Sequence, residues 1–256
     1  MTALYPTIVY GPVRSRRLGV SLGVNLLPLQ AKVCTFDCIY CECGWNGDNN
    51  GSRRFNGREE VSAALQSVLE AMAAEGQQLD VITFAGNGEP TMHPDFEQII
   101  EDTITLRDRY APTAKISVLS NATQLHRADV VRALERVDNN ILKIDSLDES
   151  VAQLINKPCC NYSVAKVVEQ LRQFNGRVIV QTMFLRGEYN GKVVDNTTED
   201  QIAAWLNALK LIEPQSVMVY SIARDTPCKS LIKVEKAELE QIAERVRNLG
   251  IECTSS

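Results

Sequence analysis

Three cysteines fall within eight positions in CTFDCIYC, residues 34–41: Cys34, Cys38 and Cys41, spaced C-x3-C-x2-C. Thiolates this close can grip one soft, sulfur-loving centre. A structural zinc ion asks for four closed ligands, usually two separated pairs of cysteine or histidine. Cys43 is near enough to be a fourth, but the chain has only two histidines, His93 and His126, and neither is close in sequence. Four cysteines within ten residues would make a strained wrap around one ion. A cubane 4Fe–4S cluster suits the spacing better, because its iron corners lie close together and cysteine thiolates are their usual ligands. Three ligands leave one iron open to a further group. Zinc, a disulfide and a bare redox thiol stand as the alternatives.

Chemistry of this kind needs a scaffold, and the chain is long enough to bury a large core at 256 residues. Apolar residues make up 45% and charged residues 23%, an ordinary globular balance. The net charge of −5 gives no surface-wide attraction for nucleic acid, although a local basic patch is compatible with it. No apolar run reaches 18 residues, and the first residues lack a basic stretch followed by a long apolar one. These features point to the cytoplasm and away from a membrane. In a reducing compartment, eight cysteines read as metal ligands, catalytic thiols or small buried hydrophobes before disulfides.

Strand-like and helix-like segments alternate from about residue 30 onward. Helical spacing covers 58–76, 95–110 with Asp95 as N-cap, 128–137, 163–174, 198–212 and 236–250. Nearly continuous apolar runs lie between them, in LDVITF and over 114–120, 139–146, 177–185 and 216–222. With a short strand placed just before Cys34, these make six strand–helix units. The expected fold is α/β, an incomplete (β/α)6 TIM-type barrel of parallel strands, with an open doubly wound sheet as the other solution. One domain is expected over 1–256, an N-terminal arm over 1–30 leading into a core over 31–256. Polar residues gather just past the strand ends, the face that carries chemistry in parallel α/β folds.

CTFDCIYC resembles the signature of the radical S-adenosylmethionine (SAM) superfamily, C-x3-C-x-aromatic-C, with Tyr40 as the aromatic. GNGEP, residues 86–90, resembles that superfamily's Gly-Gly-Glu segment with Asn87 inserted. YGPVRSRRLGVSLGVNLLP, SNAT, QTMFLRG and VDNT extend the likeness to a group of radical SAM proteins similar to wyosine-tRNA synthases. The resemblance implies that SAM chelates the open iron. One electron from an external donor such as flavodoxin or ferredoxin then splits its sulfonium, and the 5′-deoxyadenosyl radical takes a hydrogen atom from substrate. Cys34, Cys38 and Cys41 would act through the cluster, while Gly86, Asn87, Gly88 and Glu89 would bring backbone to the SAM ammonium. Such glycines also suit a tight turn.

Ser120 and Asn121 end the third strand, and Lys143 and Asp145 share one face at the end of the fourth. Lys143 would suit a carboxylate and Asp145 ribose hydroxyls, with an internal ion pair as the plain alternative. Gln181, Met183 and Tyr220 would border the adenosine or simply pack the core. Arg14, Arg16 and Arg17, with Arg186, would clamp a substrate phosphate or carboxylate, or lie solvated. The segment 44–57 reads as a mobile loop. Cys43, Cys159, Cys160, Cys228 and Cys253 read as free thiols. Wyosine-type enzymes carry a second cluster on cysteines ahead of the motif, and none precedes Cys34 here. A tRNA substrate is therefore compatible but not favoured. The substrate is a small molecule, a nucleotide or a partner protein, and a non-catalytic iron–sulfur electron carrier is the reading from a different class.

Overall fold

The computed structural model describes residues 3–15 and 18–256. In chain order, β1 (Val9–Ser15) and β2 (Gly19–Val24) form an antiparallel pair, followed by α1 (Arg58–Ala74), β3 (Val81–Phe84) and α2 (Phe96–Tyr110). Next come β4 (Lys115–Ser120), α3 (Ala128–Arg136), β5 (Asn139–Lys143), α4 (Glu149–Asn156) and α5 (Val164–Arg172). The chain continues through β6 (Ile179–Met183), β7 (Leu185–Tyr189), β8 (Lys192–Asp195), α6 (Glu199–Ile212) and β9 (Ser216–Tyr220), then β10 (Leu231–Lys233), α7 (Lys236–Arg247) and β11 (Glu252–Ser255).

The main sheet runs β1-β2-β3-β4-β5-β6-β9-β11, parallel throughout except at β1. It is the expected parallel α/β architecture, a partial barrel with two free edges. Helices cover one face, and their apolar stripes bury Leu65, Ile100, Leu134, Leu171, Trp205 and Ile242 in a continuous core. The other face is lined in part by small polar residues: Ser21 and Thr83 hydroxyls meet at 2.8 Å, and Asn139 Nδ2 donates to Ser117 Oγ at 2.8 Å.

The structure differs from the expectation in several places. The first barrel strand is β2, inside the stretch expected as an arm, whereas the expected strand before Cys34 is a single parallel bridge, Val33 to Gly88. The short, glycine- and serine-bearing GVSLGV hides the strand signal. Its Gly23 leaves room for the Tyr10 ring, which a Cβ would meet at 2.1 Å. A seventh parallel strand, β11, pairs with β9 through a sequence (ECTS) whose polarity does not announce a strand. Helix α4 goes unread because it spans only eight residues. Asp95 holds the N-cap position of α2 but makes no side-chain cap. Strands β10, β7 and β8 form a small antiparallel sheet of their own.

Gly88 has φ +141°, and a Cβ there would lie 1.8 Å from the Val33 carbonyl oxygen. Gly76 is also left-handed, at φ +65°, but opens onto space. Gly88→Ala is therefore expected to cost about 3 kcal/mol or more of stability, and Gly76→Ala about 1 kcal/mol. Denaturant unfolding of the two variants checks the order.

Candidate active site

The cysteine loop lies across the carboxyl ends of the parallel strands and is tied on both sides by backbone. Val33 N donates to Asn87 O at 2.9 Å, and Glu89 N to Val33 O at 3.2 Å. On the other side Asp37 N reaches Asn156 O at 3.0 Å, Ile39 N reaches Ile155 O at 3.0 Å, and Cys159 N reaches Thr35 O at 2.8 Å. The unexpected helix α4 is thus one wall of the site. Phe36, Cys38, Ile39, Tyr40, Ile155, Met183, Leu185 and Val194 form an apolar cluster separate from the main core, with Cys34, Cys41, Trp45 and Tyr220 packed against it.

Two of the motif thiols meet their own donors, and the third shares its loop with a buried ammonium. Cys34 Sγ accepts from Phe36 N at 3.4 Å and from Asn121 Nδ2 at 3.6 Å. Lys143 Nζ stands 3.8 Å from Cys38 Sγ. Cys41 lies within the influence of the Lys32 ammonium, which donates to Gly44 O while Gly44 N donates to Cys41 O at 3.0 Å. Burial pushes Cys34 well above the usual thiol range, with the Glu89 carboxylate adding to it. Burial raises Cys38 to about 11 against the pull of the Lys143 ammonium. Cys41 goes the other way: the bond from Cys43, then the Lys32 ammonium, hold it low despite burial. Cys43 itself is pushed up by its bond to Cys41 and by burial, and its S–H donates to Gly86 O at 3.4 Å. It sits in the site as a proton donor.

The donor set suits three thiolates. Among the described residues no three His, Cys, Asp or Glu side chains are grouped to hold one metal ion. A cubane makes a different demand, since each cysteine binds its own iron corner.

The remaining expected residues sort by what they touch. Glu89 is buried, pushed upward in pKa by that burial, and saturated: Oε1 takes Thr91 N at 3.1 Å and Thr91 Oγ1 at 2.5 Å, while Oε2 takes Asn121 N at 2.7 Å. Asn121 Oδ1 binds Thr123 N at 3.1 Å and Oγ1 at 2.7 Å, across a left-handed Ala122, which leaves Nδ2 to reach Thr35 Oγ1 at 2.8 Å and Cys34. Ser120 Oγ accepts from Ala122 N at 3.1 Å. Asn87 spends its amide on Tyr5 N and O (2.8 and 2.9 Å) and Pro28 O (2.9 Å), so it fastens the N-terminal segment. Gly86 makes room for Asn25, whose Oδ1 a Cβ would meet at 2.4 Å.

Asp145, its side chain wholly buried, accepts from Tyr40 OH at 2.6 Å, Asn156 Nδ2 at 2.7 Å and Met183 N at 3.1 Å, and pairs with Lys143 at 2.5 Å. The plain alternative, an internal ion pair, describes Lys143 and Asp145. Gln181 lies level with Lys143 across β5 and β6, and Met183 level with Tyr220 across β6 and β9. Arg14 is exposed and pairs with Val20 at the start of β2, the sheet end opposite the cysteines. Arg16 and Arg17 lie outside the described residues. Arg186 is held by Glu238 (3.0 Å at Nη1) and lies 3.5 Å from Asp195, on the small sheet. The structure gathers no arginine clamp from Arg14 and Arg186.

Lys32 and Asn46 belong to the site and escaped the sequence reading. Lys32 precedes the motif by two positions, and its buried Nζ donates to Gly44 O at 2.8 Å and Asp37 Oδ1 at 3.3 Å. Burial opposes its charge, but the thiols of Cys41, Cys34 and Cys38 and then Asp37 hold its pKa above the usual lysine value. Asn46 Nδ2 donates to Cys34 O and Phe36 O, both at 3.1 Å. The segment expected to be a mobile loop is therefore pinned at Asn46, and again at Asn56, whose Nδ2 binds Asn25 O at 2.9 Å and Leu27 O at 2.7 Å. Cys159 and Cys160 are exposed, and Cys253 is buried in the main core.

Residues 31–199 match the family model described as Radical SAM superfamily. A UPF0026 protein of Methanocaldococcus jannaschii is 31% identical over 238 residues, covering 91% of this chain and 68% of its own length. One from Synechocystis sp. is 32% identical over 234 residues, covering 89% and 79%. Both carry the UPF0026 name, not a wyosine one. A radical SAM methyltransferase from Sphaerobacter thermophilus has a similar fold, with TM-score 0.67 at 13% identity over 92% of this chain and 65% of its own. SuiB from Streptococcus suis, solved with SAM, gives 0.63 at 15% over 88% and 48%. This chain thus spans less than two thirds of either solved chain.

Asp145→Asn leaves the buried Lys143 without its carboxylate and is expected to cost about 3–5 kcal/mol, read by denaturant unfolding. Lys143→Met in the same chain should recover part of the loss. In metal-free protein the thiolate fraction rises with pH earliest at Cys41. Alkylation at neutral pH should therefore label Cys41 before Cys34 or Cys38, with Cys38 following only as pH approaches about 11. Peptide mass mapping checks the order, and equal labelling of the three would contradict it.

Proposed function

The chain belongs to the radical SAM superfamily and to the UPF0026 proteins, and from that premise we propose that Cys34, Cys38 and Cys41 hold a 4Fe–4S cluster beside a SAM site. The observation that most supports this is that Cys34 and Cys38 each face their own donor while the buried Lys32 ammonium lies inside the same loop, bound to Gly44 O. When bound, cluster and SAM supply reductive sulfonium cleavage and a 5′-deoxyadenosyl radical for hydrogen abstraction. The protein orients the loop through Val33 and the backbone of residues 155–157, and it excludes water with Phe36, Ile39, Met183 and Leu185. Lys143 and Gln181, level with each other across β5 and β6, and Met183 and Tyr220, level across β6 and β9, are the residues that would line the SAM site on this reading. Asp145 holds Tyr40 and Lys143 in place for it.

The whole chain is read as one domain, working in the cytoplasm, where its thiols stay reduced. No helix among the described residues is long and apolar enough to cross a membrane. The one-electron donor is of the flavodoxin or ferredoxin class. The substrate is a small molecule, a nucleotide or a partner protein; SuiB has been solved with its precursor peptide. Wyosine-like modification of a tRNA base loses support with the position of Arg14, away from the cysteines.

Anaerobic reconstitution followed by electron paramagnetic resonance, with and without SAM, tests the reading. The expected result is a reduced 4Fe–4S signal that SAM shifts, with 5′-deoxyadenosine formed under dithionite. Cys38→Ala should abolish both, while Cys43→Ala keeps the cluster. A signal indifferent to SAM would leave a plain electron carrier.

A further inference from the structure

We propose that Lys32 is a built-in counter-charge for the cluster and sets the potential at which the cluster accepts its electron. This rests on the reading that the three cysteines hold a 4Fe–4S cluster. The Lys32 side chain is 1% exposed, and a buried ammonium is costly unless its charge is answered. Its carboxylate partner is shared. Asp37 Oδ1 takes Lys32 Nζ at 3.3 Å and Asn46 N at 2.8 Å, while Oδ2 lies 3.6 Å from Lys157 Nζ. Two ammonium groups on one carboxylate leave a positive charge over. Lys32 Nζ also donates to Gly44 O at 2.8 Å, and Gly44 N in turn donates to Cys41 O at 3.0 Å, so the ammonium lies inside the cysteine loop itself. Lys143 is different, because Asp145 at 2.5 Å cancels it.

Three thiolates on a dicationic cubane carry one net negative charge, and an electron from an external low-potential donor adds a second without a proton. A fixed cation nearby favours the doubly charged form more than the singly charged one. Lys32 therefore makes the cluster easier to reduce. Asp37, carrying the opposite charge, works against it.

Reconstituted wild type, Lys32→Met and Asp37→Asn are compared by iron content and by a redox titration followed by electron paramagnetic resonance. Lys32→Met is expected to keep its iron while its ratio of reduced to oxidised cluster at fixed potential falls about tenfold, equivalent to ~59 mV for a one-electron couple. Asp37→Asn is expected to move the ratio the other way. A Lys32→Met ratio equal to wild type overturns the proposal. If Lys32→Met does not fold, Asp37→Asn decides alone: a raised ratio supports the counter-charge, and an unchanged one overturns it. Wild type without a 4Fe–4S signal removes the cluster reading and this proposal together, whereas a wild-type signal with unshifted variants removes only the role of Lys32.

Discussion

On the proposed reading, three sulfurs that must be anions in a place with little water are the constraint around which this end of the molecule is arranged. Burial alone drives a thiol toward its protonated form, as the raised values at Cys34 and Cys38 record. Anionic sulfur is tolerable there only if each atom meets a donor, and the donors come from different parts of the chain. Asn121 follows β4, Lys143 ends β5, and Lys32 leads into the loop. Each donor is in turn held by a carboxylate: Glu89 takes the Asn121 backbone, Asp145 takes Lys143, and Asp37 takes Lys32. A parallel sheet is suited to the task, because its carboxyl ends deliver side chains from several strands to one rim in a fixed register.

The same arrangement gives the GNGEP segment a structural reason of its own. Gly88 is required where Val33 pairs with it, since any side chain would strike the Val33 carbonyl. Gly86 leaves space for Asn25 and offers its carbonyl to Cys43. Asn87, the inserted residue, reaches Tyr5 and Pro28. Only Glu89 works toward a motif cysteine, and it does so through Asn121. The segment clamps the start of the cysteine loop to the end of β3, and the contacts with Asn25, Tyr5 and Pro28 extend that clamp back along the chain.

The sequence announces what has a period or a punctuating residue. The long helices α1, α2 and α6 and the apolar strands β3 to β6 are legible because burial on a covered sheet demands continuous apolar runs. The cysteine spacing is legible because it is local. What fails is structure defined by a partner elsewhere in the chain. Strand β11 is held by its pairing with β9, and the end of α4 by its backbone bonds to the cysteine loop. Lys32 carries no motif of its own in the sequence, and only the fold, which buries it, brings it into the site. Asp145 reads as a candidate for ribose until Tyr40, Asn156 and the Met183 backbone are seen to fill it. Arg14 reads as part of a clamp because arginine's fork suits a phosphate or carboxylate, and the sequence does not say which end of a strand it occupies.

Position also answers why three cysteines are set apart from a fourth only two residues on. Cys43 is as buried as Cys38, so accessibility does not separate them. Hydrogen bonding does. Cys34 and Cys38 stand as acceptors, facing amide groups and an ammonium group, and Cys41 is held low in pKa by Cys43 and then by its charged surroundings, while Cys43 faces the Gly86 carbonyl. A carbonyl beside a thiolate repels it, so Cys43 is stable here only with its proton, which it directs toward the Gly86 carbonyl. Ligation of iron would strip that proton and set a sulfur anion against the carbonyl. On the proposed reading, this leaves one iron corner free for SAM, and the residue that looks like a spare ligand instead helps keep Cys41 ionised.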